Sequence, residues 1–329
     1  MKNKLLFVLL LCTGNAYASC GSTFCSIDTH WDTQGSANDQ GLLIDLRYSY
    51  ANANKLRYGN SPATIAAPNG SGRGELENLR TINQVLDLNV DYVVNHHWNI
   101  AIGLPFIMRD HTHTLDYTGG DVIQQAKFNA IGDMRVVGKY QFDSDDHHAG
   151  SGIRLGLKLP TGAIDQTMTP QAPPGTPYML DRSSQPGSGS TDILLGAYYH
   201  HDSADAPWGW FISGQLQSAF ATRDDYRPGN GMNFDVGIHY AFSPALTGLL
   251  QFNTQVKLRD SGSFANPTHS GGHSLNLSPG LSYTVVPRTR LYGFVQLPIV
   301  QYVNGDASNP DLRQLAAPWS LSIGISHSY

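Results

Sequence analysis

The sequence predicts an all-β fold: a single transmembrane antiparallel β-barrel of about twelve strands, with short periplasmic turns and long external loops. Three observations lead to this prediction. Apolar and polar residues alternate with a period of two along twelve segments. Short and long connections alternate between these segments. An N-terminal stretch has the features of a bacterial secretory signal.

The chain begins with a short cleavable-signal pattern. Lys2 and Lys4 supply the positive charge, Leu5 to Leu11 form the apolar core, and Ala16-Tyr17-Ala18 has the small-x-small pattern of a cleavage site. The apolar run is too short to cross a bilayer as a helix. We therefore expect residues 1–18 to be a signal peptide, 19–40 a periplasmic segment and 41–329 the barrel.

Two cysteines remain in the expected mature chain, Cys20 and Cys25. In an oxidising periplasm, cysteines at this spacing predict a local disulfide. A second interpretation makes Cys20 a lipidated N-terminus, although Tyr17 occupies the place where that motif prefers leucine. No cofactor motif accompanies them, so none is expected.

The overall charge argues against one class of partner. The chain has 21 Lys and Arg against 26 Asp and Glu, a formal net charge of −5. Nucleic-acid binding requires a basic stripe, so a nucleic-acid partner is not expected.

The first strand segments each place apolar residues on one face and polar residues on the other. In GLLIDLRYSY, Leu42, Ile44 and Leu46 alternate with Asp45 and Arg47. The same alternation predicts the remaining strands, and most approach the roughly 9–11 residues with which a tilted strand crosses a membrane. The twelve predicted segments are 41–50, 81–95, 97–108, 132–142, 152–160, 191–200, 208–220, 232–242, 246–259, 274–286, 290–300 and 319–329.

The connections support the barrel independently. The predicted long loops are 52–80, 109–130, 161–190, 222–231, 260–273 and 303–315. The links between them are short, which is typical of a transmembrane barrel with both chain ends on the periplasmic side. A soluble β-sandwich would also show alternating strands, but the strict alternation of loop lengths and the long apolar faces favour the barrel.

In a barrel surrounded by lipid, the polar face of each strand looks inward. Charged residues on that face predict a hydrated lumen, because buried charges need water or a partner. The expected function is an outer-membrane channel for passive uptake or efflux of small solutes. The predicted lumen residues are Asp45, Arg47, Asp87, Asp91, Asp133, Arg135, Lys139, Arg154, Lys158, Asp235, His239, Lys257 and Arg259.

Several phrases occur in an order that resembles a known family. They are GDMRVVGKYQF, GIRLGLKLPTGAID, PGSGSTDILLGAYYH, RPGNGMNFDVGIHY, SPGLSYTV and YGFVQLPIVQYVNG. Together they resemble the outer-membrane channel family named after the MetA pathway of phenol degradation, over about residues 40 to 329. The resemblance implies an outer-membrane β-barrel that acts as a passive channel for small molecules, hydrophobic ones included, and does not by itself imply aromatic solutes. No binding residue of the family can be matched to a position of this sequence.

Three adjacent histidine pairs fall at predicted periplasmic turns. They are His96-His97, His147-His148 and His200-His201. Imidazole and carboxylate groups suit zinc or copper, so the pairs are a candidate metal site. The alternative is that polar turns simply collect histidines, and that neighbours in a strand point to opposite faces.

The sequence also bears on two other function classes. A barrel phospholipase would need a Ser and a His on one face, but in the last strand His327 alternates with Ser326 and Ser328. No GxSxG motif is present, so catalysis is not expected. The remaining alternative is a structural or adhesive barrel whose external loops carry the function.

The last segment, WSLSIGISHSY, has bulky residues on one face and small ones on the other. Gly324 and the terminal aromatic Tyr329 resemble the C-terminal signal recognised by the outer-membrane assembly machinery. We therefore expect the bacterial outer membrane as the location, with its lipid, that machinery and a small solute as partners.

Overall fold

The structure is a computed structural model. It describes residues 41–63, 75–116, 122–146, 148–172, 175–265, 267, 270–305 and 314–329. The predicted signal peptide, the segment with Cys20 and Cys25, and His147 lie outside the described residues. Among the residues described, no helix is both long enough and apolar enough to cross a membrane.

Twelve long antiparallel strands form one closed wall, which confirms the predicted fold class. The last strand of the sheet order, β7, also pairs with β5, so the twelve wall strands close on themselves and no edge of this wall stays open. The wall strands are β1 (Gly41–Ala53), β4 (Glu75–Val93), β5 (Trp98–Asp116), β7 (Arg135–Gln141), β8 (Ala149–Lys158), β11 (Thr191–Asp202), β12 (Trp208–Ala221), β13 (Gly231–Ala241), β14 (Leu246–Lys257), β15 (Gly272–Val286), β16 (Thr289–Val303) and β18 (Ser320–Ser328).

The first and last wall strands meet at one seam of the barrel. Strand β1 pairs with β18 from Leu43 opposite Ser328 to Ala51 opposite Ser320. The other neighbour of β1 is β4, and the remaining wall strands follow in chain order. This order is the up-and-down arrangement in which each strand pairs with its neighbours in sequence.

Six shorter strands lie in the long connections. They are β2 (Lys55–Tyr58), β3 (Ser61–Pro62), β6 (Val122–Ile131), β9 (Thr167–Ala172), β10 (Tyr178–Met179) and β17 (Gln314–Ala316). The prediction that 109–130 is an external loop is therefore wrong over most of its length. Strand β5 continues to Asp116 and forms a hairpin with β6, because Ala126 and Phe128 bury one face of that hairpin against Met168 and Leu180.

Strand β5 changes its partner along its length. Its first part, Trp98 to Gly103, pairs with β7, and its second part, Phe106 to Leu115, pairs with β6. Strands β6, β9 and β10 thus form a small sheet that extends the wall on one side. We call the end of the barrel with these connections the long-connection end, and the opposite one the short-connection end.

The side chains of the wall follow the predicted alternation. In β8, Ile153, Leu155 and Leu157 are exposed on the outer face, whereas Arg154 and Lys158 are buried on the inner face. Strand β18 repeats the pattern, with Ser322, Ser326 and Ser328 buried and its two isoleucines exposed. The outer surface is consequently apolar around the wall and the interior is polar.

Aromatic rings gather at the short-connection end. Trp98 packs edge-on against Tyr140 at 4.9 Å between ring centroids, and Tyr140 contacts Phe142 at 5.5 Å. Tyr240 and Phe242 form a similar pair at 5.1 Å. Such a girdle is typical of the interface between lipid and water.

Candidate functional site

A cavity of about 410 Å³ in the lumen is lined by ten of the twelve wall strands. Polar side chains reach it because the inner face of each strand carries the polar set of the alternation. The cations on its surface are Arg47, Arg109, Arg135, Arg154, Lys158, Arg182 and Lys257. The carboxylates are Asp87, Asp133, Asp192 and Asp235. The lining thus has three more positive than negative charges, although the whole chain is negative.

Residues 182–188, which we call the inserted segment, leave the connection between β8 and β11 and enter the lumen. Asp133 holds this segment. Its Oδ2 accepts from the backbone N and the hydroxyl of Ser188 at 2.9 and 2.6 Å, and its Oδ1 accepts from the Gly162 N at 3.0 Å. Lys158 adds an ion pair to Asp133 at 2.9 Å and a second to Asp192 at 3.2 Å. The segment is therefore fixed by charged, buried groups.

A close backbone contact fixes the same segment. Gly187 N donates to the Ala163 carbonyl at 2.8 Å. A Cβ at Gly187 would overlap the backbone of Gly162, so only glycine allows this approach. Backbone contacts as well as side-chain contacts therefore hold the inserted segment in the lumen, where it reduces the open cross-section.

A chain of contacts links the inserted segment to two further loops. Arg182 lies over the Tyr226 ring at 5.4 Å and donates to Asp224 at 3.1 Å. Tyr226 donates its hydroxyl to Asp260 at 2.8 Å, and Lys257 pairs with Asp260 at 3.0 Å. Burial, together with the negative charge of Asp260, raises the pKa of the Tyr226 phenol, so the phenol stays protonated and remains a donor.

Four aromatic rings of the described wall strands face the interior over a glycine, contrary to the expectation that apolar residues all face outward. Each occupies the space above a glycine of a neighbouring strand, where a Cβ would overlap the ring. The pairs are Phe211 with Gly237, Phe294 with Gly280, Tyr292 with Gly324, and Tyr198 with Gly152. Phe211 is fully buried and Phe294 is 1% exposed. The glycines thus create room for rings that fill part of the barrel cross-section.

Ion pairs and hydrogen bonds neutralise several inward charges. Arg47 donates to Asp87 at 2.9 Å, and both residues line the cavity. Lys139 pairs with Asp91 at 2.5 Å, with both side chains nearly fully buried. The first pair joins the neighbouring strands β1 and β4, and the second reaches across β5 from β7 to β4. Both pairs favour the observed register because an unpaired charge at either position would be costly.

The structure places the thirteen predicted lumen residues in three settings. Eight line the cavity: Arg47, Asp87, Asp133, Arg135, Arg154, Lys158, Asp235 and Lys257. Asp45, Asp91 and Lys139 bond to other side chains outside the cavity lining, and the Nε2 of His239, also outside it, lies 3.0 Å from Asp202 Oδ1. Arg259 follows the end of β14 and donates to the Pro267 carbonyl and to Asn304.

Two cavity cations were missed at the sequence level. Arg109 donates to Asn83 at 2.7 Å and to the Ser184 carbonyl at 2.5 Å, so it touches the inserted segment. Arg109 lies at the same alternate positions of β5 as Gly103 and Ile107, which line the cavity. Its inward orientation could therefore have been predicted from the sequence. Arg182 belongs to a long connection, and no periodicity marks it.

The histidine pairs form separate groups. The Nε2 atoms of His96 and His97 lie 4.0 and 3.8 Å from the Asp143 carboxylate, and all three ligand atoms lie within 4.8 Å of one another. His97 is oriented by contact of its Nδ1 with the Gln141 carbonyl at 3.2 Å. His201 instead faces Asp146 at 3.6 Å. The His200 ring lies against Gly150, and His148 is exposed in its turn.

The two residues of the expected assembly signal lie at the seam. Gly324 faces inward beneath the Tyr292 ring, and Tyr329 donates its backbone N to the Leu42 carbonyl at 2.9 Å. His327 contacts Thr289 Oγ1 at 2.8 Å through Nδ1, whereas Ser326 and Ser328 are buried on the inner face. The seam strand therefore contributes both to closure and to the interior.

These features define the class of the molecule: a closed twelve-stranded antiparallel barrel with a polar lumen and an apolar outer face. No protein-family model matches the sequence, and no curated protein matches it. The fold is similar to that of the COG4313 outer membrane channel from Pseudomonas putida F1. That structure aligns with a TM-score of 0.61 and 11% identity, over 92% of this chain and 100% of that chain.

Other solved barrels align less well. The P. putida toluene transporter TodX gives a TM-score of 0.47 at 11% identity, over 90% of this chain and 91% of that chain. The transport unit of the Escherichia coli autotransporter AIDA-I gives 0.46 at 9% identity, over 94% and 95%. At these identities the likeness concerns the fold alone.

Proposed function

We propose that the protein is a bacterial outer-membrane channel through which small solutes pass passively along the lumen. The observation that carries this proposal is the cavity of about 410 Å³ inside the barrel, with charged side chains on its surface. A barrel that needed only rigidity would have those charges paired in a filled interior. Here Arg135 is exposed within the barrel and the cavity has the volume of a small-molecule site.

The outer face supports a location in lipid. Leu155, Ile238 and Leu281 are 59%, 52% and 56% exposed, and they come from three different wall strands. Apolar exposure around a whole wall is stable only when lipid covers it. Outer-membrane lipid is therefore the proposed partner of this surface.

Planar-bilayer recording of the purified barrel tests the proposal. In a variant that lacks Cys20 and Cys25, Gln215→Cys places a thiol on the cavity surface, and Leu216→Cys places one on the outer face. A charged thiol reagent is expected to reduce the conductance of the Gln215→Cys variant and to leave the Leu216→Cys control unchanged. A barrel without any conductance, or an equal effect on both variants, contradicts the channel.

One observation favours a second function, a structural or adhesive barrel. Phe211, Phe294 and Tyr292 fill part of the lumen cross-section, and a filled barrel can serve as a scaffold for its external loops. Such a protein would fold normally in lipid, show no solute uptake by liposome swelling, and lose its function when the long connections are shortened.

A further inference from the structure

The positive charge of the cavity is not evenly neutralised. Arg47 is paired with Asp87, Lys158 with Asp133 and Asp192, and Lys257 with Asp260. Asp235 accepts from the Asn253 amide at 2.7 Å. Each of the four carboxylates of the lining therefore already has a partner among these contacts.

Arg135 differs from these cations. It is exposed, it lines the cavity, and it forms no ion pair or hydrogen bond with any residue that the structure describes. In the strand register it lies between Gly103 and Lys158. Gly103 has no side chain, and the amide oxygen of Asn89, another residue of the cavity lining, occupies the space above it. The β5 neighbour of Arg135 therefore brings no charge beside the guanidinium. A guanidinium in this setting offers paired donors that match a carboxylate.

An apolar row lies next to Arg135, one inward position nearer the short-connection end. The row runs across four neighbouring strands. Ala101 of β5 lies opposite Val137 of β7, and Gly156 of β8 lies between Val137 and Leu194 of β11. All three apolar side chains line the cavity. Val137 follows Arg135 on the same face of β7, about 7 Å along the strand. The Arg135 guanidinium therefore adjoins a small apolar part of the cavity surface.

We propose that this corner of the lumen binds a small organic carboxylate, with the carboxylate on Arg135 and the carbon skeleton on the row Ala101, Val137 and Leu194. The inference rests on the proposed channel, and it names the class of solute that the channel prefers. The guanidinium of Arg135, which no described carboxylate neutralises, attracts the anion, and the apolar row distinguishes it from a fully hydrated inorganic ion.

The test uses benzoate as the probe, with benzyl alcohol as its neutral counterpart and acetate as an anion without an apolar body. The matched variants are Arg135→Gln in the cavity and Arg288→Gln in the exposed turn between β15 and β16. Calorimetry of the solubilised barrel measures binding, and bilayer recording in a salt gradient measures the permeability ratio of chloride to potassium.

The wild-type barrel and the Arg288→Gln variant are expected to bind benzoate at least about tenfold more tightly than Arg135→Gln, as for the loss of one charged hydrogen-bonded pair. Acetate and benzyl alcohol are expected to bind more weakly than benzoate. The channel is expected to prefer chloride, with the preference reduced in Arg135→Gln only.

Two results separate this inference from the channel itself. A conducting barrel that prefers potassium, or binds benzoate equally in both variants, overturns the carboxylate site and leaves the channel in place. A barrel that never conducts, yet binds benzoate in a manner that depends on Arg135, overturns the channel and supports the site.

Discussion

The hydroxyl of Tyr292 donates to both carboxylate oxygens of Asp45, at 3.0 and 2.8 Å, across the strand that closes the barrel. The ring lies over Gly324 of β18, and this strand separates β16 from β1. A single side chain thus connects three successive strands at the seam. This contact links the strands of the seam from inside the barrel, in addition to the backbone pairing of the wall.

Gly324→Ala is expected to destabilise the barrel, because a Cβ there overlaps the Tyr292 ring. The expected loss is about 1–3 kcal/mol in the free energy of unfolding, as for overpacked sites. Heat-modifiable mobility on gels measures it. Gly293→Ala is the control, since its Cβ would lie 3.5 Å from its nearest neighbours. Equal stability of the two variants would show that Gly324 acts only in assembly.

Gly187→Ala is expected to displace the inserted segment without changing any charge, because its Cβ would overlap Gly162. A displaced segment widens the lumen, so the single-channel conductance should rise and the current should fluctuate more. Gly138→Ala serves as the control, with its nearest atom at 3.7 Å. A conductance that stays at the wild-type level in Gly187→Ala would mean that the segment does not limit the passage.

Lys139→Met is expected to be strongly destabilising, by about 3–5 kcal/mol, because it leaves the Asp91 carboxylate buried without its ammonium partner. The double variant Lys139→Met with Asp91→Leu removes both charges and should regain much of this loss. Urea unfolding followed by tryptophan fluorescence compares the two. A double variant no more stable than the single one would argue that the pair is not the cause.

His96, His97 and Asp143 are expected to bind zinc at the short-connection end, since two imidazoles and a carboxylate leave positions for water. Calorimetry should show one zinc site that is lost in His97→Ala and kept in His148→Ala. Binding should weaken in acid because the ligands must be deprotonated. Retention of zinc after His96→Ala and His97→Ala together would refute the site.

Deletion of Tyr329 is expected to impair membrane assembly, because its backbone N holds the start of β1 through the Leu42 carbonyl and its ring contacts His327 at 4.6 Å. The amount of heat-modifiable barrel in outer-membrane fractions measures the effect. Tyr329→Phe keeps the aromatic ring and the backbone, so it should assemble normally. Normal assembly of the deletion variant would remove Tyr329 from the proposed signal.

The sequence was sufficient for the twelve wall strands because a period of two is a local signal, readable in any single segment such as β8. The same alternation also predicted that the side chains of Arg135 and Lys158 face inward. It was insufficient for the inserted segment, whose position depends on contacts between Asp133 and Ser188 that are far apart in the chain. The inward rings were missed because Phe211 is accommodated by Gly237, and such pairing appears only once the strand register is known.

The seam also has a consequence for the order of folding. The hydroxyls of Ser49 and Ser322 meet at 2.9 Å although 273 residues separate them. Every hairpin in the wall closes a far shorter stretch of chain, as between β15 and β16, so hairpins can form early at a small entropic cost. The contact between β1 and β18 must wait until the intervening strands are in place. The kinetic barrier to a complete barrel is therefore expected at the seam, and the serine ladder of β18 is the surface on which the last pairing takes place.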